Sequence, residues 1–113
     1  MKIVLCCAGG FSTTMLMDSM KAAVKKSPKL NEDDFQFDAI PVDLLDAEIE
    51  DVDAIVLGPQ IAHKLDSVKK QLGDRQVPVV VVDSNTYGQM DGATVLKKVL
   101  IELKKIDIAR NGR

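Results

Sequence analysis

The sequence lacks an excess of positive charge: fifteen Lys and Arg face seventeen Asp and Glu, a formal net charge of −2. A duplex nucleic-acid binder carries a basic face to neutralise phosphates, so that class is excluded and no nucleic-acid partner is expected. Cysteine is scarce as well, and the two present, Cys6 and Cys7, are neighbours. A bridge between adjacent residues is far from ordinary disulfide geometry, and two cysteines build no disulfide framework. No CxxC or Cys/His spacing suggests zinc, so no metal is expected and a reducing compartment is. Long hydrophobic runs are missing, which excludes a membrane-spanning helix. The start, Met1-Lys2-Ile3-Val4-Leu5, runs straight into a strand-like segment without a cleavable leader pattern. The expectation is a small soluble cytoplasmic domain.

What is present supports a packed core. Of 113 residues, 46% are hydrophobic and 28% charged, enough apolar surface for one domain and too much for a disordered chain. The apolar residues fall into alternating strand and helix patterns. Ile3-Val4-Leu5 begins a strand that ends in Cys6-Cys7-Ala8-Gly9-Gly10. Leu16, Met20, Ala23 and Val24 predict a helix over 12–27, with Ser12 and Thr13 at its N-cap, Lys25 and Lys26 at its C-terminal end, and Pro28 stopping it. A second strand is predicted over 35–40, one or two helical turns over 43–48, and a third strand over 54–57. Ile61, Leu65, Val68 and Leu72 lie on one face of a following helix. The four consecutive valines at 79–82 read as a strand covered on both faces, of the central parallel type. A polar loop over 83–91 then leads to a helix over 91–106, with Leu96, Val99, Leu100, Leu103 and Ile106 inward.

Such alternation makes βαβ units. The expected fold is a three-layer α/β domain, an open four-stranded parallel sheet of order 2-1-3-4 with helices on both faces, flavodoxin-like and similar to low-molecular-weight phosphatases. It fills 1–106 as a single domain, with 107–113 a frayed tail. Ten of the seventeen acids lie between Glu32 and Asp53, with no Lys or Arg over 30–63. That stretch reads as a solvated face around the second strand in preference to a docking surface.

In this fold ligands sit at the carboxyl end of the first strand. Here that end is Cys7-Ala8-Gly9-Gly10-Phe11-Ser12-Thr13-Thr14. Small residues allow successive backbone N–H groups to turn inward, the helix N-terminus adds partial positive charge, and three hydroxyls add donors. A tetrahedral dianion fits such a cup, and the same dipoles favour a thiolate at its rim. Side chains alternate along a strand, so with Cys7 at the loop Cys6 points into the packing. The segment matches neither GxGxxG nor GxxxxGK[ST], so no nucleotide cofactor is expected.

Cys7 to Thr14 is also similar to the phosphate loop of low-molecular-weight protein tyrosine phosphatases. Those carry an arginine at the sixth position after the cysteine, where this chain has Thr13. Without that cation a phosphocysteine is held by dipoles and spared the hydrolytic stabilisation an arginine provides, which suits a carrier. A phosphatase-like or arsenate-reductase-like thiol enzyme is the alternative, and a redox domain using both cysteines a third.

Three blocks then carry a family resemblance: Cys7-Ala8-Gly9-Gly10-Phe11-Ser12-Thr13, Leu57-Gly58-Pro59-Gln60-Ile61-Ala62, and Val82-Asp83-Ser84 with Tyr87-Gly88 and Asp91-Gly92. With their spacing the chain resembles the enzyme IIB component of the bacterial phosphoenolpyruvate-dependent sugar phosphotransferase system, lactose/cellobiose (chitobiose) class. The resemblance implies a phosphocarrier. Cys7 would take a phosphoryl group from phosphohistidine on a IIA protein and give it to a β-linked disaccharide bound in the IIC permease. It also places the phosphate loop on Ala8, Gly9, Gly10, Phe11, Ser12, Thr13 and Thr14. Members usually carry Met where Phe11 stands and often an aromatic at His63. The doubled cysteine is a departure, and a gapless alignment of Gly10-Phe11-Ser12-Thr13 selects Cys7. Gln60 and Tyr87 are expected beside the loop, Asp83 in a structural role, and His63 on a solvent-facing helix position. Phe11 and Met15 could form an exposed apolar patch. A monomer is expected.

Overall fold

The computed structural model describes residues 1–7, 11–47 and 49–110, with the side chains at 11, 12 and 108–110 outside that description. Four parallel strands, β1 (Lys2–Cys7), β2 (Gln36–Pro41), β3 (Ala54–Leu57) and β4 (Val79–Val81), form one sheet in the order β2-β1-β3-β4. The expected order 2-1-3-4 is the observed one. β1 is therefore an inner strand, with Cys7 opposite Pro41 and Cys6 opposite both Ile40 and Leu57.

The period of two along the strands divides the core. Ile3, Leu5, Ala54, Val56 and Val80 face one layer, where they meet Leu16, Met20 and Val24 of α1 (Phe11–Lys26) and Val95, Leu96 and Val99 of α4 (Gly92–Arg110). Val4, Cys6, Ile55 and Leu57 face the other, against Leu45, Ile61, and Val68 and Leu72 of α2 (Leu65–Leu72). Hydrophobic burial on both faces is the main stabilising term, worth about 25 cal/mol per Å² of apolar surface removed from water.

Several elements differ from expectation for identifiable reasons. α1 starts at Phe11, so Ser12 and Thr13 occupy its first turn and are not N-caps. The helix expected around Ile61 is divided: a 3-10 helix, Pro59–Lys64, precedes α2, with non-helical backbone at Ile61 (φ −121°, ψ 24°). The four expected inward positions stay on the sheet side nonetheless. β4 is an edge strand, contrary to the central reading of its valines; helical layers cover both its faces, and that suffices to make it apolar. The polar loop after it holds a helix, α3 (Ser84–Gly88). Asp83 caps it by accepting from the Thr86 amide at 3.0 Å and the Thr86 hydroxyl at 2.6 Å. α4 continues past Ile106 to Arg110 and also buries Val95.

Gly92 marks a close crossing. A Cβ there would run into the backbone of Ser19 and Met20 on α1, and the Gly92 amide donates to the Ser19 hydroxyl at 2.9 Å. The amino end of the sheet is fastened separately. Arg75 donates from the loop after α2 to the carbonyls of Ile49, Glu50 and Val52, and the Lys2 amide donates to Asp53 at 2.7 Å.

Candidate active site

β1 ends at Cys7 and α1 begins at Phe11, so a connection of three residues separates the thiol from the start of a sixteen-residue helix. That helix has no acidic residue in its first turn and Lys25 and Lys26 in its last. Its positive end therefore faces the carboxyl end of β1 without a compensating carboxylate in that turn. Ala8, Gly9 and Gly10, the centre of the expected phosphate loop, lie outside the described residues, as do the side chains of Phe11 and Ser12.

The two cysteines have different surroundings. Cys6 is fully buried among Val4, Ile55, Leu57 and Leu45, and this desolvation pushes its thiol up to about 12, with a smaller electrostatic contribution from Cys7. Cys7 keeps 8% of its surface at the strand end and belongs to neither apolar cluster. Alternation along β1 aims it to the face of Ile3 and Leu5, the side covered by α1 and α4. No disulfide joins the pair. Cys6 is a core group, whereas Cys7 is the thiol next to the helix start.

On that face Thr13 is almost completely buried, and its hydroxyl lies 3.4 Å from the Tyr87 hydroxyl. Tyr87 packs into the same core from α3, and its Cε1 would lie 3.5 Å from a Cβ on Gly58. The Gly58 amide donates to the Cys6 carbonyl at 3.2 Å, and a Cβ on Gly58 would also collide with Gln60 Oε1. The segments after β1, β3 and β4 thus converge, bringing Thr13, Gln60 and Tyr87 together around the carboxyl end of the two inner strands. Thr14 is exposed, and so is His63. Asp83 is occupied by the α3 cap and lies 3.8 Å from the Lys98 ammonium, and its hydrogen bonds from Thr86 hold its carboxyl below the usual range. Met15 and Leu44 are each 58% exposed. Tyr87 is expected beside the loop, but with no particular neighbour there, and its contact with Thr13 joins residues 74 apart.

No group of His, Cys, Asp and Glu side chains able to hold a metal exists among the described residues. A groove of about 660 Å³ between α1 and β2 is lined by Lys21, Lys25, Glu32 and Phe37 among others and includes none of Cys7, Thr13 or Tyr87.

An open parallel sheet of order 2-1-3-4, with a cysteine where an inner strand gives way to a helix, defines a flavodoxin-like domain of the type shared with low-molecular-weight phosphatases. Comparison with known proteins narrows the class. The family model described as "PTS system, Lactose/Cellobiose specific IIB subunit" matches residues 2–98, and the chain belongs to that family of sugar phosphotransferase-system subunits. It is 27% identical to the oligo-beta-mannoside-specific EIIB component of Bacillus subtilis, covering 88% of this chain and 92% of that protein. It is 32% identical to the galactose-specific and to the cellobiose-specific EIIB components of Lactococcus lactis, in each case over 83% of this chain and 88% of the relative. The lactose-specific IIB domain from Streptococcus pneumoniae superposes with a TM-score of 0.77 at 15% identity, covering 90% of this chain and 96% of that one. The cellobiose-specific IIB protein from Borrelia burgdorferi superposes at 0.72 with 25% identity, covering 93% of each.

Proposed function

We propose that this IIB subunit carries a phosphoryl group on Cys7 between a IIA protein and a sugar in a IIC permease. The observation that carries the reading is the position of Cys7, at the end of an inner strand and three residues before a helix whose first turn has no carboxylate. In the first step the Cys7 thiolate attacks the phosphorus of a phosphohistidine in line. An S–P bond forms as the N–P bond breaks, and the imidazole leaves with the bonding pair. In the second, a sugar hydroxyl attacks the same phosphorus, an O–P bond forms, and the thiolate is restored. The hydroxyl proton goes to a base on the permease. The phosphate loop would comprise Ala8 to Thr14, with Gln60 and Tyr87 beside it, and no resident cofactor or metal takes part.

Thr13 supports transfer over hydrolysis. It stands where a phosphatase has its arginine, and it is buried against Tyr87. The family description and the cellobiose-specific relative support β-linked disaccharides of the cellobiose type as the sugar class, with the galactose-specific relative as the exception. The subunit would work as a cytoplasmic monomer that visits the membrane through its permease; no helix among the described residues is long and apolar enough to cross a bilayer.

Incubation with phosphorylated IIA protein followed by peptide mapping tests the assignment. One phosphate is expected on Cys7, lost in Cys7→Ser and kept in Cys6→Ser. Phosphate on Cys6, on His63, or on no residue overturns it.

A further inference from the structure

Thr13 and Tyr87 place two buried hydroxyls against each other on the face of β1 to which Cys7 is aimed. Each hydroxyl carries one proton and two acceptor lone pairs. Their mutual contact uses one of the two protons. Either hydroxyl can donate in this contact; a phenol is the stronger acid and the better donor, and in the arrangement where Tyr87 donates, the Thr13 proton is left for another acceptor. Donation into an oxygen that is itself donating also polarises the onward bond. At 3.4 Å the contact is longer than the usual 2.5–3.0 Å for two hydroxyls, so it has room to shorten when the onward acceptor carries charge.

The ring that holds the phenol is well fixed. Tyr87 is buried in the core beneath α1 and α4, beside Gly58, and the short helix carrying it is capped by Asp83. A Cβ on Gly58 would crowd Gln60 Oε1 and lie in ordinary contact with this ring. Thr13, by contrast, lies in the first turn of the helix that follows the thiol. The pair thus ties the segment after β4 to the segment after β1.

We propose that Tyr87 is a positioning residue for the phosphoryl site, its hydroxyl orienting the Thr13 hydroxyl as a donor to the tetrahedral oxyanion held at Cys7. This rests on Cys7 being the phosphoryl acceptor, and it adds the group through which a residue 74 positions away acts on that site. Tyr87 itself need not touch the anion.

Protection of Cys7 from iodoacetamide by inorganic phosphate, followed by peptide mass spectrometry on the full chain, tests the proposal without any partner protein. Tyr87→Phe keeps the ring and removes the hydroxyl, Thr13→Val removes the relayed donor, and Thr13→Ser keeps it. Loss of one oriented hydrogen bond to an anion is expected to raise the half-protecting phosphate concentration by about 10–100-fold in Tyr87→Phe and in Thr13→Val. Thr13→Ser should stay near wild type, and the double variant should be no weaker than the worse single one, because the two act as a unit. The same proteins without phosphate should show the two hydroxyl losses with similar melting temperatures. Unchanged protection in Tyr87→Phe, or losses that add in the double variant, overturns the positioning role while leaving Cys7 as acceptor. Absence of protection in the wild type overturns both. A melting-temperature drop in Tyr87→Phe with unaltered phosphate protection assigns the hydroxyl to stability alone and also overturns the proposal.

Discussion

Adjacent cysteines with the same side chain have different surroundings because a strand presents successive residues to opposite faces. Cys6 is part of the apolar layer and its thiol is raised to about 12, whereas an unfolded chain ionises the same group near 9. The folded state therefore keeps a proton that the unfolded state gives up. The stability contributed by the neutral thiol is complete below about pH 9 and declines as pH rises toward 12. Denaturant midpoints between pH 8 and 11 should fall less steeply in Cys6→Ala than in the wild type; parallel slopes would contradict this. Gly92 is the other residue whose context reverses an ordinary preference. At an exposed helical site Gly→Ala stabilises by about 1 kcal/mol. Here the new methyl meets α1 backbone and the Ser19 hydroxyl at 2.6 Å, so α1 and α4 must separate. Gly92→Ala is expected to cost about 2–3 kcal/mol net, measured by urea denaturation.

The elements show which parts of the fold are visible in a sequence. Strands β1 and β3 and the inward faces of α1 and α4 follow from local apolar spacing, and the structure keeps them within a residue or two at their starts. The division before α2 was less visible, because the helical spacing of Ile61, Leu65, Val68 and Leu72 survives a 3-10 turn that keeps all four on one side. The short α3 had a usable signal, Asp83 three residues before Thr86, obscured by the absence of an apolar stripe. The same device starts α4, where Asp91 accepts from the Thr94 amide at 3.1 Å and the Thr94 hydroxyl at 2.7 Å. The Thr hydrogen bonds are the main reason both carboxyls are held below the usual range, with Lys98 helping at Asp83. A depressed carboxyl stabilises the fold above its unfolded value and loses that contribution as acid protonates it. Melting temperature should therefore drop as pH falls below about 4, and Asp83→Asn with Asp91→Asn should flatten that drop. An unchanged acid limb would show the caps to be unimportant.

At the scale of the whole molecule the sheet has two unlike ends. Its amino end is fastened by long-range hydrogen bonds: Met1 ammonium to the Asp34 carbonyl, Gln36 amide to the Met1 carbonyl, and Arg75 across the loop before β3. Its carboxyl end gathers Cys7, Thr13, Gln60 and Tyr87. Arg75→Ala should lower stability by about 1 kcal/mol, visible in thermal melts, while phosphate protection of Cys7 stays unchanged. A parallel loss of protection would show that the two ends are coupled. The carboxyl end of β1 stood out in the sequence as a candidate site because a cysteine ends the strand and two glycines and three hydroxyl residues follow it. The specific pairing of Thr13 with Tyr87 and the partners of Arg75 were not legible, because contacts across 74 and 23–26 residues leave no local pattern.

With hydrogen-bonded neighbours along both edges, β1 has little freedom to shift, and the proposed acceptor sulfur at its tip is held with it. On the proposed relay, donor and recipient would both have to reach that sulfur at the carboxyl end of the sheet, and one would then exclude the other. Turn-taking would follow from the architecture of the sheet, with no need for the carrier to change shape between visits.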